Sequence, residues 1–306
     1  MLPERTQLAL SRQRARHDAL MHYIGAVLYA TFLWWFSTGV IFFLNARAPH
    51  TFRWSMLAGT VVVLGALYGF WESAKQETLF GAFAGFSCGL LIWGWHTMSY
   101  YMGIITGPRR ESCPPECRGW RHFLHAAETS LYHEIAIVAT ALLLTALAYD
   151  QPNQYGLWTF LALWAMHVSA KLNVFLGVRN LNKEFIPNHL QYLTRFFRRR
   201  TMNLLFPVSV TIGTSITIML IQTAAASESG PFVAAGHTLL ATLMAFAVIE
   251  HWFMILPIPA DALWRWSLSP APLARVKSTG GAAPETGSAA ANACKDYPAA
   301  PRPGPD

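Results

Sequence analysis

The stretch ETSLYHEIAIVATALLLTALAY, residues 128–149, sets two carboxylates and an imidazole at the head of a long apolar run. The run reads as a membrane helix. A charge near the bilayer centre costs at least about 2.5–3.5 kcal/mol, so Glu128, His133 and Glu134 need a reason to be there. The side of the membrane they occupy, and what they face, decides how the chain is read.

Composition agrees with a membrane setting. Of 306 residues, 53% are hydrophobic and 13% charged, against about 25% charged in an ordinary soluble domain. A hydrocarbon core about 30 Å thick calls for about 20 mainly apolar residues per helix. Seven stretches meet or approach that, near residues 22–44, 54–71, 79–105, 126–148, 154–176, 203–225 and 232–257. The second is short and opens in polar RWS. The expected fold is therefore all-α, a polytopic membrane helical bundle of about seven transmembrane helices. The first apolar run is too long for a signal peptide and lacks a small-residue cleavage site. Four cysteines do not suggest a disulfide framework.

The net charge of +7 is arranged as a topology signal, not as a nucleic-acid footprint. Loops after spans one, three and five hold Arg47 and Arg53, then Arg109, Arg110, Arg118 and Arg121, then Arg179, Lys183, Arg195, Arg198, Arg199 and Arg200. Loops after spans two, four and six hold only Lys75. Excess Lys and Arg in short loops marks the cytoplasmic side. The C-terminus is then cytoplasmic and the N-terminus periplasmic. Residues 1–21 disagree, because Arg5, Arg12, Arg14 and Arg16 favour a cytoplasmic start. Either this is a true basic extension or translation begins at Met21, directly before the first span. Residues 22–266 form the expected membrane domain. Residues 267–306, rich in Ala, Pro and Gly, read as a disordered tail.

With that topology, ionisable groups on four helices fall at one depth, toward the cytoplasmic leaflet. They are His96 on span three, Glu128, His133 and Glu134 on span four, His167 and Lys171 on span five, and Glu250 and His251 on span seven. Each is a functional candidate by its cost alone. On a continuous helix His133 and Glu134 lie about 140° and 240° from Glu128, so the three cannot all enter one small site. Trp164, His167 and Lys171 form one stripe at i, i+3, i+7.

Other features allow two readings each. Gly81, Gly85 and Gly89 form overlapping GxxxG steps, which suit close helix packing or a groove for a flat ring. Glu and His from several helices can converge on a redox metal, although no Glu-x-x-His pair is present. In CPPEC, Cys113 and Cys117 precede His122 and His125. Their spacing is far shorter than a zinc finger's, and reduced cytoplasmic thiols are the simpler expectation. After Pro187, Leu190, Leu193 and Phe197 fall at i, i+3, i+7, as in a short helix lying on an anionic surface.

The segments FLWWFSTG (32–39), SYYMGIITGPRR (99–110), YHEIAIV (132–138), AKLNVFLGVRNLNKEFIPNHLQYL (170–193) and EHWFMILP (250–257) resemble the PuhE family. These are photosynthetic complex assembly proteins of purple phototrophic bacteria, and the likeness covers roughly residues 22–266. The resemblance implies an inner-membrane protein acting in bacteriochlorophyll supply or in reaction-centre and antenna assembly. Its implied partners are membrane lipid, photosynthetic complex subunits and pigment-synthesis proteins, with no nucleic acid. It implies no catalytic residues.

Three classes of function follow. A non-catalytic assembly factor would hold bacteriochlorophyll or a precursor transiently. Its candidate ligands are His96, His133, His167 and His251, within a polar layer of Glu128, Glu134, Lys171 and Glu250. A membrane oxidoreductase would bind iron through His and Glu and act on a pigment precursor. A proton-coupled carrier would use Glu128, Glu134, Lys171 and Glu250 as a relay, but the repeats and broken helices common in carriers are not evident.

Overall fold

The structure, a computed structural model, describes residues 4–114, 116–181, 186–226, 230–257, 263–264 and 267, with side chains from residue 20 onward except residue 22. Lys183 and the tail beyond Ser267 lie outside the described residues, as do the side chains of the N-terminal segment. Among the described residues, eight α-helices follow in chain order: α1 (Glu4–Asn45), α2 (Phe52–Ala74), α3 (Leu79–Tyr101), α4 (Gly119–Glu128), α5 (Leu131–Leu147), α6 (Tyr155–Leu176), α7 (Leu205–Ala225) and α8 (Pro231–Phe253). Short 3₁₀ turns occupy Pro49–Thr51 and Asn188–Phe196. Among the described residues the only extended pairing is an isolated bridge, Val178 to Arg199.

Among the described residues, six helices are long and apolar enough to cross a membrane, or seven if α4 and α5 together make one span. Their outward faces carry large apolar side chains, such as Leu64, Phe80, Leu142 and Met219, suited to lipid contact. The second span is not short: it runs Pro49–Ala74. The backbone of α1 continues upstream of Met21 to Glu4.

α3 and α8 are central, with 44% and 56% of their apolar windows buried against 11–22% in the other four spans. Capping and turn residues set their starts. The Thr78 hydroxyl accepts from Gly81 N at 3.0 Å to open α3, and Pro231 opens α8 where its missing N–H costs nothing. The glycine stripe of α3 serves close packing. A Cβ at Gly89 would fall on the Gly156 carbonyl of α6, and one at Gly156 would meet Phe70 and the Gly85 carbonyl.

The fourth span departs from expectation. A continuous helix over 126–148 is predicted, but the chain breaks at Thr129–Ser130 and α4 meets α5 at 63°. The loop after α3 is the cause. The Thr106 carbonyl accepts from His133 N at 2.9 Å, taking one of the N–H groups that a helix start leaves free. Gly107 lies so close that a Cβ there would fall on the Glu128 carbonyl. The segment after Pro187 also differs. It is a 3₁₀ turn, and it buries Leu190, Leu193 and Phe196 at a spacing of three, with Phe197 left half-buried.

Candidate functional site

At the end of the bundle where α3, α6 and α8 finish and α5 begins, the helices do not close on one another. They leave a cavity of about 630 Å³. Ligand pockets commonly measure about 300–1,000 Å³ and are mainly apolar with a few placed polar groups. This one has that character. Tyr100 and Tyr101 come from α3, Ser130 and Glu134 from the start of α5, His167 and Lys171 from α6, and Glu250 and His251 from α8. The bend lets α4 turn across this end, where Phe123, Ala126 and Ala127 join Leu190, Leu193 and Phe196 in the lining.

One ion pair organises the polar side. Lys171 Nζ lies 2.6 Å from Glu134 Oε1 and donates to Ser130 Oγ at 2.8 Å. Trp164 Nε1 donates to the other carboxylate oxygen at 3.4 Å. The stripe at i, i+3, i+7 on α6 thus brings its tryptophan and lysine to one glutamate. Glu250 lines the same cavity with no hydrogen bond or ion pair among the described residues.

Behind the ion pair runs a row of imidazoles. The His133 ring sits 6.2 Å from that of His96 and 6.1 Å from that of His167, and 4.7 Å from Tyr100. His96 Nε2 meets Thr140 Oγ1 at 3.0 Å. The Nδ1 atoms of both His96 and His133 are buried without a hydrogen-bond partner. Buried polar atoms are nearly always paired, so two unpaired nitrogens on neighbouring rings call for an explanation. One ligand atom each from His133, Glu134 and His167 lies within 4.8 Å of the others, a spacing that can hold a metal ion.

The predicted residues divide in two. His96, His133, His167, Glu134 and Lys171 form one connected cluster. His251 is beside the cavity, but both its nitrogens are engaged. Nδ1 meets the Ala247 carbonyl at 2.8 Å and Nε2 meets Ser169 Oγ at 2.9 Å. A carbonyl only accepts, so Nδ1 carries the proton and Ser169 takes the Nε2 lone pair. Glu128 stands apart. It closes α4 and pairs with Arg109 Nε at 2.8 Å, with its side chain 42% exposed. Its predicted membership of the polar layer was read from depth along the expected span, and in the structure its carboxylate pairs with Arg109 at the border instead.

Sequence reading missed Ser130, Thr140 and Ser169, hydroxyls that engage the lysine and two of the histidines. Their signal was position: each lies on a span at the depth of the ionisable groups. The CPPEC expectation also changes. Cys113 and Cys117 are joined as a disulfide, and both sulfurs approach His125 Nδ1. A turn closed by Cys117 N donating to the Pro114 carbonyl at 3.0 Å brings them together.

Residues 20–274 match the family model described as a protein of unknown function (DUF3623). The chain is also 39% identical over 248 residues to an uncharacterized 30.4 kDa protein in the puhA 5′ region of Rhodobacter capsulatus. That alignment covers 79% of this chain and 89% of the relative. No solved structure matches the chain.

Proposed function

Starting from the premise that this chain belongs to the DUF3623 family, we propose that it is an inner-membrane factor for photosynthetic complex assembly or bacteriochlorophyll supply. In this reading the cavity holds a bacteriochlorophyll or a precursor transiently. The observation that carries it is the cavity itself: about 630 Å³, mainly apolar, with His167 in its wall and further imidazoles behind. A neutral imidazole can lend a lone pair to the magnesium of such a ring. The apolar walls exclude water, and the Lys171–Glu134 pair offers a cation and an acceptor to polar substituents at the ring edge. The name of the Rhodobacter capsulatus relative, which places it in the puhA 5′ region, supports the photosynthetic setting. So does the resemblance to the PuhE family.

The orientation belongs to the same reading. An N-terminus in the periplasm and a C-terminus in the cytoplasm would set the cavity in the cytoplasmic leaflet.

A second reading has its own support. The convergence of His133, Glu134 and His167 within 4.8 Å suits a single metal ion, and with it an oxidoreductase acting on a pigment precursor. Lys171 weighs against it, because its ammonium already occupies the Glu134 carboxylate.

Deleting the gene in a phototroph tests the process. Pigment–protein complexes should fall or become unbalanced while respiratory growth continues. An unchanged near-infrared spectrum in the deletion strain would count against the assembly role.

A further inference from the structure

The loop between α3 and α4 gathers a second set of ligands, about which the cavity reading says nothing. Cys113 Sγ lies 3.1 Å and Cys117 Sγ 3.2 Å from His125 Nδ1. The three residues are half-buried, and their ligand atoms all lie within 4.8 Å of one another. Two sulfurs come from the tight turn at Pro114 and the nitrogen from the last turn of α4, so loop and helix meet at one point.

We propose that this is a metal site: in the dithiol state, Cys113, Cys117 and His125 bind one divalent ion of the zinc class. Two sulfurs and an imidazole are the donors that zinc takes in tetrahedral sites. Bonds of about 2.3 Å to sulfur and 2.0–2.1 Å to nitrogen place sulfur and nitrogen about 3.6 Å apart around a tetrahedral ion. The two sulfur–nitrogen separations need to open by only a few tenths of an ångström, and the two sulfurs must part by more than an ångström once the bond between them is broken. Water takes the fourth position.

The structure shows the oxidised state, so binding follows reduction. A dithiol reductant gives two electrons and two protons to the disulfide, the S–S bond breaks, and two thiols result. The ion then displaces both thiol protons, forms two metal–sulfur bonds and accepts the Nδ1 lone pair. Occupancy ties the loop to α4, whose Phe123, Ala126 and Ala127 line the cavity.

The test uses full-length protein in detergent, reduced with a phosphine, stripped with a chelator and titrated with Co²⁺ and then Zn²⁺. One Co²⁺ per chain should bind with thiolate-to-metal absorption, and Zn²⁺ should displace it. Cys88→Ser should leave this unchanged. Cys113→Ser with Cys117→Ser should abolish it. His125→Ala should weaken it by more than the roughly 10–100-fold that loss of an outer-shell partner costs. A second measurement needs no variant: Zn²⁺ should slow maleimide labelling of Cys113 and Cys117 in the reduced wild type, read by peptide mass spectrometry. Failure of the reduced wild type to take up stoichiometric Co²⁺, retention of binding in the serine double variant, or equal labelling with and without Zn²⁺ overturns the proposal.

Discussion

The two ends of the bundle both bury polar groups, and they use them in opposite ways. At the end where α2 finishes and α6 begins, Asn153 is fully engaged. Its amide donates to the Ser73 carbonyl at 2.9 Å and the Gly81 carbonyl at 2.8 Å, and its Oδ1 accepts from Tyr155 N at 3.1 Å. The Tyr155 hydroxyl meets His237 Nδ1 at 2.9 Å. Gly85 and Gly156 bring the backbones into contact beside it. At the other end the helices separate around a cavity, and His96 and His133 keep buried nitrogens without partners. Buried polarity alone therefore does not mark a site in this molecule. Among the described residues, the histidine end combines unpaired nitrogens on His96 and His133 with a cavity whose lining residues Tyr100 and His167 neighbour the His133 ring.

That contrast can be broken by substitution. The largest stability effect is expected at the paired end. Asn153→Ala removes the amide's donations to the Ser73 and Gly81 carbonyls and leaves the Tyr155 N–H at the start of α6 without its acceptor, where an unmade bond costs about 1–3 kcal/mol. A loss of about 2–3 kcal/mol should lower the melting temperature in detergent and the amount of protein in the membrane. A melt like the wild type's would show that the Asn153 clamp is not structural glue.

Next comes Lys171→Met, which leaves Glu134 unpaired in the cavity wall. The side chains are 35% and 28% exposed, so the cost is discounted to about 1–2 kcal/mol. Adding Glu134→Gln should restore most of it. If the double variant melts lower than the single one, the ion pair is not the unit that organises this wall.

The smallest effect belongs to Glu128→Gln. Its pair with Arg109 is a border contact, and its loss should change stability by less than about 0.5 kcal/mol. A drop as large as that of Lys171→Met would return Glu128 to the polar layer.

Much of this contrast was legible in residues, and the reasons for the exceptions are physical. Hydropathy alone marks α3, α6, α7 and α8, because lipid demands long apolar runs of any spanning helix. Depth, read from Arg and Lys in alternate loops, brought His96, His133, His167, Glu134 and Lys171 to one level. The break at Thr129–Ser130 was hidden. No Pro or Gly marks it, and the partner that causes it, the Thr106 carbonyl, lies in a different loop. The helix on which the angles from Glu128 to His133 and Glu134 were drawn is broken there. Helical periodicity also misplaced the third anchor after Pro187, because a 3₁₀ turn repeats every three residues and so buries Phe196 in place of Phe197. Asn153 gave little warning, since one amide in a short loop shows its three partners only when α2, α3 and α6 are assembled.

The central claim is that the histidine end holds a pigment, and one comparison tests it most directly. Wild-type protein and the His133→Gln and His167→Gln variants would be purified from phototrophically grown cells, with absorption spectra and metal content recorded. An interhelical hydrogen bond in a membrane is worth about 0.6 kcal/mol on average, so both variants should accumulate near normal levels. The account predicts bacteriochlorophyll-like absorption in the wild type and its loss in at least one variant. Stoichiometric iron without pigment would favour the oxidoreductase reading instead. A wild type that carries no pigment, or variants that retain it in full, would contradict the claim.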